Sequence, residues 1–316
     1  MCTMQEEINV YLFYCREQRR LDEKTVRAYE NDLMQFQEYL LGKGSDVTKN
    51  VLNSYIVRMH GKYKPKTVKR KIASLKAFFS FLEREEIINE NPMRKVRTQF
   101  REEKLLPKTI PAQTIQKLLE YMYQKEKNPG NTRFQKRMIA RDIVIVELLF
   151  ATGLRISELC NLEKERFNIN DGILCIKGKG AKERYLQVGN PAVLRQVRRY
   201  SRLWKPEIED GIYFFYNRSG EKYSEQSARR MINKYAKEAF IDLHITPHMF
   251  RHAFATLLLE EDVDIRYIQK LLGHSSIVTT QIYTEVACKK QMEILKTKHP
   301  RNKMRINVKM IISSVI

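Results

Sequence analysis

At 316 residues the chain is long enough for two domains of ordinary size, and a 43% hydrophobic content excludes a disordered polyelectrolyte. Lys and Arg number 58 against 37 Asp and Glu, a formal net charge of +21, which points past a merely solvated basic surface to a polyanionic partner, nucleic acid first. The five cysteines (Cys2, Cys15, Cys160, Cys175, Cys288) are odd in number, scattered and without a CxxC pair, which argues for reduced thiols in a cytosolic compartment and against a disulfide framework or zinc cluster.

The opening "MCTMQEEINVYLFYCREQRR" is acidic early and lacks the apolar stretch of a signal peptide. From there to about residue 98 the pattern is helical. Tyr29, Leu33, Phe36 and Leu40 recur at helical steps. In "PKTVKRKIASLKAFFSFL", Val68, Ile72, Leu75, Phe79 and Leu82 form one stripe. Lys66, Lys69, Arg70 and Lys76 gather on another side with no acids between them, which makes them candidate DNA-backbone contacts. The segment from 89 to 111 breaks the period, carries three prolines and is highly charged. The division that results is a helical domain over 1–98, a linker over 99–110, a second domain over 111–298 and a tail over 299–316.

In the second domain "QTIQKLLEYMY" and "MIARDIVIVELLFATG" read as helices, the latter apolar enough to be buried, with Gly153 at a left-handed C-terminus. "ILCIKG" and "RYLQV" are short β runs joined by "KGKGAKE", a hairpin. "IYFFY" reads as a buried strand and "SEQSARRMINKYAKEAF" as a helix. No repeat of 20 to 50 residues and no window approaching the ~20 apolar residues of a membrane span is present. The closing "VKMIISSVI" is too short to span and fits an edge strand or a partner-binding tail. The fold class is therefore mainly α with a small antiparallel sheet.

The stretch from Thr246 to Leu258 carries the densest chemistry. Thr246 is placed as N-cap and Pro247 at the first helical position, so His248 falls in the first turn with Arg251 three residues on. A helix N-terminus bears partial positive charge and suits an anion. Met249, Phe250, Ala253, Phe254, Leu257 and Leu258 supply the buried side, and His252 is read as a core histidine. A zinc site lacks support, because the position of the Glu in HExxH holds Met249 and no Cys or Asp pair is close in sequence. No metal is therefore expected. "ATGLRISELCNL" offers Arg155, with Glu158 in reach to orient it. "KGKGAKER" puts Lys179 at a hairpin tip, and "LLGHSSIVTTQIYT" ends a helix at Gly273 and brings His274 and Tyr283.

"TGLRISEL", "GKG", "HMFRH" and "LGHSSIVTTQIYT", in that order, resemble the tyrosine recombinases, or phage integrases, which include the Xer recombinases. Arg155 and Lys179 lie 24 residues apart, Arg251 and His274 23, His274 and Tyr283 9. The likeness covers most of residues 111 to 290, and "KTVRAYENDLMQFQEYL" is similar to the family's helical, SAM-like core-binding domain. The resemblance implies a two-domain, C-shaped clamp on DNA. It implies that Tyr283 attacks a phosphodiester to leave a 3′-phosphotyrosyl bond, with no cofactor. Arg155 and Arg251 match the family's phosphate-clamping arginines, His248 its general acid/base, His274 its phosphate hydrogen-bonding residue and Lys179 the lysine that protonates the leaving oxygen. Glu158 and His252 fall to supporting places.

The implied activity is site-specific recombination on double-stranded DNA carrying a core site: integration, excision, inversion or dimer resolution. The implied assembly is a dimer on a site and a tetramer in synapsis, cytoplasmic and nucleoid-associated, with no membrane partner. A type IB topoisomerase-like enzyme and a non-catalytic DNA-binding regulator are the rival readings. Glu285 stands where the family often has His. The short N-terminal side leaves no room for an extra arm-binding domain, which leans toward simple-site action. "VACKKQMEILKTK" reads as an amphipathic helix that packs either on a neighbouring protomer or back on its own domain.

Overall fold

In the computed structural model the described residues are 3–41, 47–98, 100, 109–177, 183–273 and 294–304. The chain divides into two units, Met1–Leu105 and Leu106–Ile316. Among the described residues the N-terminal unit holds four helices: α1 (Met4–Glu17), α2 (Glu23–Leu41), α3 (Lys49–Lys62) and α4 (Pro65–Arg84). Helix α1 starts in a capping box, with Thr3 and Glu6 each accepting from the other's backbone N–H. The stripe of α4 is buried as its spacing requires, with Val68, Ile72, Leu75, Phe79 and Leu82 in one core with Tyr11, Leu33 and Phe36.

One polar cluster lies inside that unit. Asp32 of α2, 2% exposed, accepts from Lys71 Nζ at 2.9 Å and Ser74 Oγ at 2.8 Å, and also from Arg70. The buried charge is thereby paired and hydrogen-bonded, which is what its burial demands.

The second unit is built round α6 (Arg133–Thr152). Thr132 and Gln135 close a capping box at its start, and every residue from Ile139 to Thr152 is buried. Helix α5 (Ala112–Glu126), α8 (Pro191–Leu203), α10 (Glu225–Glu238) and α11 (Pro247–Glu260) pack against it. Burying each large apolar side chain there contributes on the order of 1.5–3 kcal/mol. The short helices are α7 (Ile156–Cys160), α9 (Lys205–Asp210) and α12 (Ile265–Leu272).

The sheet is small and antiparallel, in the order β1 (Phe167–Asn168), β2 (Ile173–Lys177), β3 (Glu183–Gln187). The β2–β3 pair runs in register from Ile173↔Gln187 to Lys177↔Glu183. "IYFFY" is no strand and is buried only over Phe214, Phe215 and Tyr216, with Ile212 exposed, because its backbone bonds go elsewhere. Phe214 donates to Leu162 at 2.7 Å, its carbonyl accepts from Tyr200 Oη at 2.9 Å, and only isolated bridges form at Tyr213 and Tyr216.

Residues 294–304 fold back on their own unit. Leu295 is buried, and its backbone lies so near Gly189 that a Cβ there would sit 2.9 Å from it. Glu147 on α6, fully buried, accepts from Arg301 Nη2 at 2.8 Å and Nε at 3.0 Å and from Tyr123 Oη at 2.8 Å. His299 reaches the Phe150 carbonyl oxygen at 3.3 Å. Among the described residues no helix is long and apolar enough to cross a membrane.

Candidate active site

The site forms where the ends of helices meet. Helix α6 stops at Gly153, whose φ of +63° lets it take the left-handed cap foreseen from sequence. Helix α12 stops the same way at Gly273, with φ +65°. Between them lies Arg251 on α11, 7% exposed, with Nη1 donating to the Gly153 carbonyl at 2.8 Å and Nη2 to the Leu272 carbonyl at 2.6 Å. Helix C-termini carry free carbonyls and partial negative charge, so a buried cation is satisfied there without a carboxylate. Burial first, and then the Arg155 and Arg184 charges, bring Arg251 down to about 10, so it keeps its proton at neutral pH.

Two residues past Gly153, Arg155 opens α7. Glu158 accepts from its backbone N–H at 2.8 Å and from its Nη1 at 2.9 Å. The Arg155 side chain is 38% exposed. On the same carboxylate Arg184 of β3 donates through Nη1 at 2.9 Å and Nη2 at 2.7 Å. Burial pushes the Glu158 carboxyl up, but the Arg184 fork and the Arg155 donors outweigh it and hold it below the usual range. Two guanidinium groups therefore hold one carboxylate, and the Arg251 charge acts on the same neighbourhood, which leaves a net positive site.

At the start of α11, Thr246 is the N-cap residue and Pro247 lies in the first turn as foreseen, though the Thr246 side chain makes no capping bond. His248 is exposed. Partial burial of its ring, then the charges of His252, Arg251, Arg229 and Arg155, lower its pKa. His252 is exposed, which corrects the reading of a core histidine. The buried face of α11 is Met249, Phe250, Ala253, Phe254 and Leu258, and the fourth residue after an exposed His248 shares its face. Among the described residues no three His, Cys, Asp or Glu side chains form a metal-ligating group.

Residues 108–290 match the phage integrase family and residues 8–86 its N-terminal SAM-like domain. The chain belongs to the phage integrase family. A tyrosine recombinase of Agathobacter rectalis is 54% identical to this family member over 95% of the chain and 98% of the relative. Tyrosine recombinase XerC of Thermodesulfovibrio yellowstonii is 36% identical over 96% and 99%. Likeness of fold extends to XerH bound to difH substrate before cleavage (TM-score 0.64, 21% identity, 92% of this chain and 84% of that one). It extends also to a lambda integrase dimer bound to a core site (TM-score 0.65, 17% identity, 90% and 100%).

Of the integrase-type residues expected from sequence, Arg155, Glu158, His248 and Arg251 are brought together. Lys179, His274 and Tyr283 lie outside the described residues, as does the apolar end of the chain. In the N-terminal unit Lys66 and Lys69 are exposed. Arg70, half exposed, is tied to Asp32, and Lys76 donates to Thr98 Oγ1 at 2.6 Å. The acid missing from the α4 sequence is thus supplied by α2. Sequence reasoning missed Arg184, although a strand-parity signal was present: Arg184 and Leu186 share the inward face of β3. It also missed Arg229, half-buried and paired with Glu225 at 2.8 Å, whose charge reaches His248.

Proposed function

We propose that this chain is a site-specific recombinase whose strand breakage and rejoining run through Tyr283, with Arg155 and Arg251 gripping the scissile phosphate. The observation that carries this reading is the excess of three arginines, Arg155 and Arg184 on Glu158 and Arg251 on the helix-end carbonyls within their charge field, over one carboxylate. A buried excess of fixed positive charge favours an anion that gains negative charge as it reacts. Arginine suits the task because its fork stays charged and binds oxygen pairs.

In the step itself the Tyr283 oxygen bonds to phosphorus as the P–O5′ bond breaks. The nonbridging oxygens gain charge opposite Arg155 and Arg251. Tyrosine ordinarily titrates near 10, so it needs a base. His248, neutral at pH 7 because its pKa is lowered, accepts the phenolic proton. Lys179 returns a proton to the leaving 5′-oxygen, and His274 holds the phosphate by a hydrogen bond. The phosphotyrosyl bond conserves the energy of the broken link, so the reverse attack by a 5′-hydroxyl rejoins DNA without ATP.

Related chains bound to DNA core sites, one as a dimer, support double-stranded DNA with a core site as the partner. Assembly into a tetramer at synapsis and action in the cytoplasm are part of the same proposal. So are the division into a core-binding domain (1–98), linker (99–110), catalytic domain (111–298) and tail, and backbone contacts through Lys66 and Lys69.

The test is recovery of covalent adducts. Wild-type protein is incubated with fragmented genomic DNA from its host and denatured, and the attached fragments are sequenced, which also defines the core site. Tyr283→Phe keeps DNA binding and yields no adduct. Adducts from that variant, or none from wild type, overturn the assignment.

A further inference from the structure

We infer that Arg184 is a positioning residue, which occupies Glu158 from the β3 side so that the Arg155 guanidinium stays available to the phosphate. This rests on the recombinase reading above. An ionised carboxylate offers roughly four acceptor sites. At Glu158 they are taken by four N–H donors, two from Arg155 and two from Arg184. The Arg184 fork is bidentate, whereas Arg155 spends its backbone N–H and one side-chain nitrogen.

Without Arg184 the carboxylate would hold two empty acceptor sites and an undivided negative charge beside Arg155. The Arg155 fork would then turn onto Glu158, the better bidentate partner, and away from the substrate. The net charge of the site would fall by one.

Arg184 is fixed for this task from two more directions. It lies on β3, where its backbone is paired with Ile176 of β2, and is only 7% exposed. Gly273 lies flat against it: a Cβ there would be 2.9 Å from Cδ, 3.1 Å from Nε and 3.2 Å from Cζ. Gly273 directly follows Leu272, whose carbonyl holds Arg251. One guanidinium thus bears on both arginines of the clamp.

The experiment measures adduct formation on a nicked suicide duplex bearing the recovered core site, beside DNA affinity and thermal unfolding. In Arg184→Ala the adduct rate falls on the order of 100-fold, the cost of misplacing a reacting group, while DNA affinity changes by less than about threefold. Glu158→Gln in that background removes the competing charge and recovers about tenfold or more, on the scale of one lost ion pair in the barrier. A merely structural role would not be rescued by a second loss of contacts.

If Arg184→Ala does not fold, Arg184→Lys carries the test. It keeps the charge, lacks the fork, and slows the rate with partial recovery by Glu158→Gln. Wild-type rates in these variants, or no recovery by Glu158→Gln, overturn the inference. Failure of the wild-type chain to form adducts faults the recombinase reading instead.

Discussion

Arg251 donates to the Leu272 carbonyl oxygen at 2.6 Å, so the end of α12 is tied to the front half of α11 by one buried guanidinium. Its other nitrogen holds Gly153 at the end of α6. The proposed clamp is therefore assembled from backbone carbonyls as much as from side chains, and it depends on a fork that spans both.

Arg251→Lys tests that dependence. A lysine keeps the charge but presents one compact ammonium, so one buried carbonyl loses its partner at a cost of about 1–3 kcal/mol. The larger effect falls on chemistry. Loss of a donor aimed at developing charge costs about 100- to 1,000-fold, or roughly 3–4 kcal/mol of transition-state stabilisation. Adduct formation on the suicide duplex and urea unfolding measure the two, and a wild-type adduct rate would refute the clamp.

Gly153→Ala strikes the same joint from the backbone. At φ +63° an L side chain costs about 1–2 kcal/mol. The new Cβ would also lie 2.7 Å from Phe254 Cδ1 and 2.9 Å from Leu272 Cδ2, both in the core. Overpacking adds about 1–3 kcal/mol, so a loss of roughly 2–5 kcal/mol in urea unfolding is expected, with slower cleavage because Leu272 shifts. Gly61→Ala in α3, where a Cβ meets nothing within 4 Å, stabilises by about 0.5–1 kcal/mol and serves as the control.

Much of this site could be read in the sequence because its parts obey local rules. The left-handed cap at Gly153, the turn position of His248, and the nearness of Glu158 to Arg155 follow from helix geometry over three or four residues. What could not be read is where distant segments supply what a helix lacks. Arg184 reaches Glu158 across 26 positions, Asp32 reaches Lys71 across 39, and Arg301 reaches Glu147 across 154. The apolar neighbours of His252 in sequence suggest burial, but the face it shares with His248 is exposed. "IYFFY" was misread because an apolar run announces burial but not which backbone bonds will be made.

The lowered pKa of His248 fixes the sign of a pH profile. As the proposed proton acceptor it works when neutral, so the adduct rate declines as pH falls, with its midpoint below 6.5, the ordinary histidine value. His248→Gln lowers the plateau by about 100-fold or more and removes the decline. A wild-type midpoint above 6.5 would show that the surrounding cations do not act on this ring.

His299 gives a second pH effect, on stability. Its Nδ1 accepts from the Arg301 backbone N–H at 3.0 Å, so its Nε2 hydrogen goes to the Phe150 carbonyl. A second proton would have to displace the Arg301 N–H. Burial, with the Arg301 charge adding to it, lowers His299 to about 4. The unfolded chain protonates near 6.5, so its proton uptake exceeds that of the folded state between the two values. The stability this group contributes is complete above pH 6.5 and is lost as pH falls toward about 4, roughly 3 kcal/mol over the whole window. Urea unfolding at pH 7 and pH 5 measures it: wild type loses roughly 2 kcal/mol more over that step than His299→Gln, whose side chain has no proton to gain. Equal losses in the two proteins would mean that the 299–301 segment is not held on α6 by a neutral histidine.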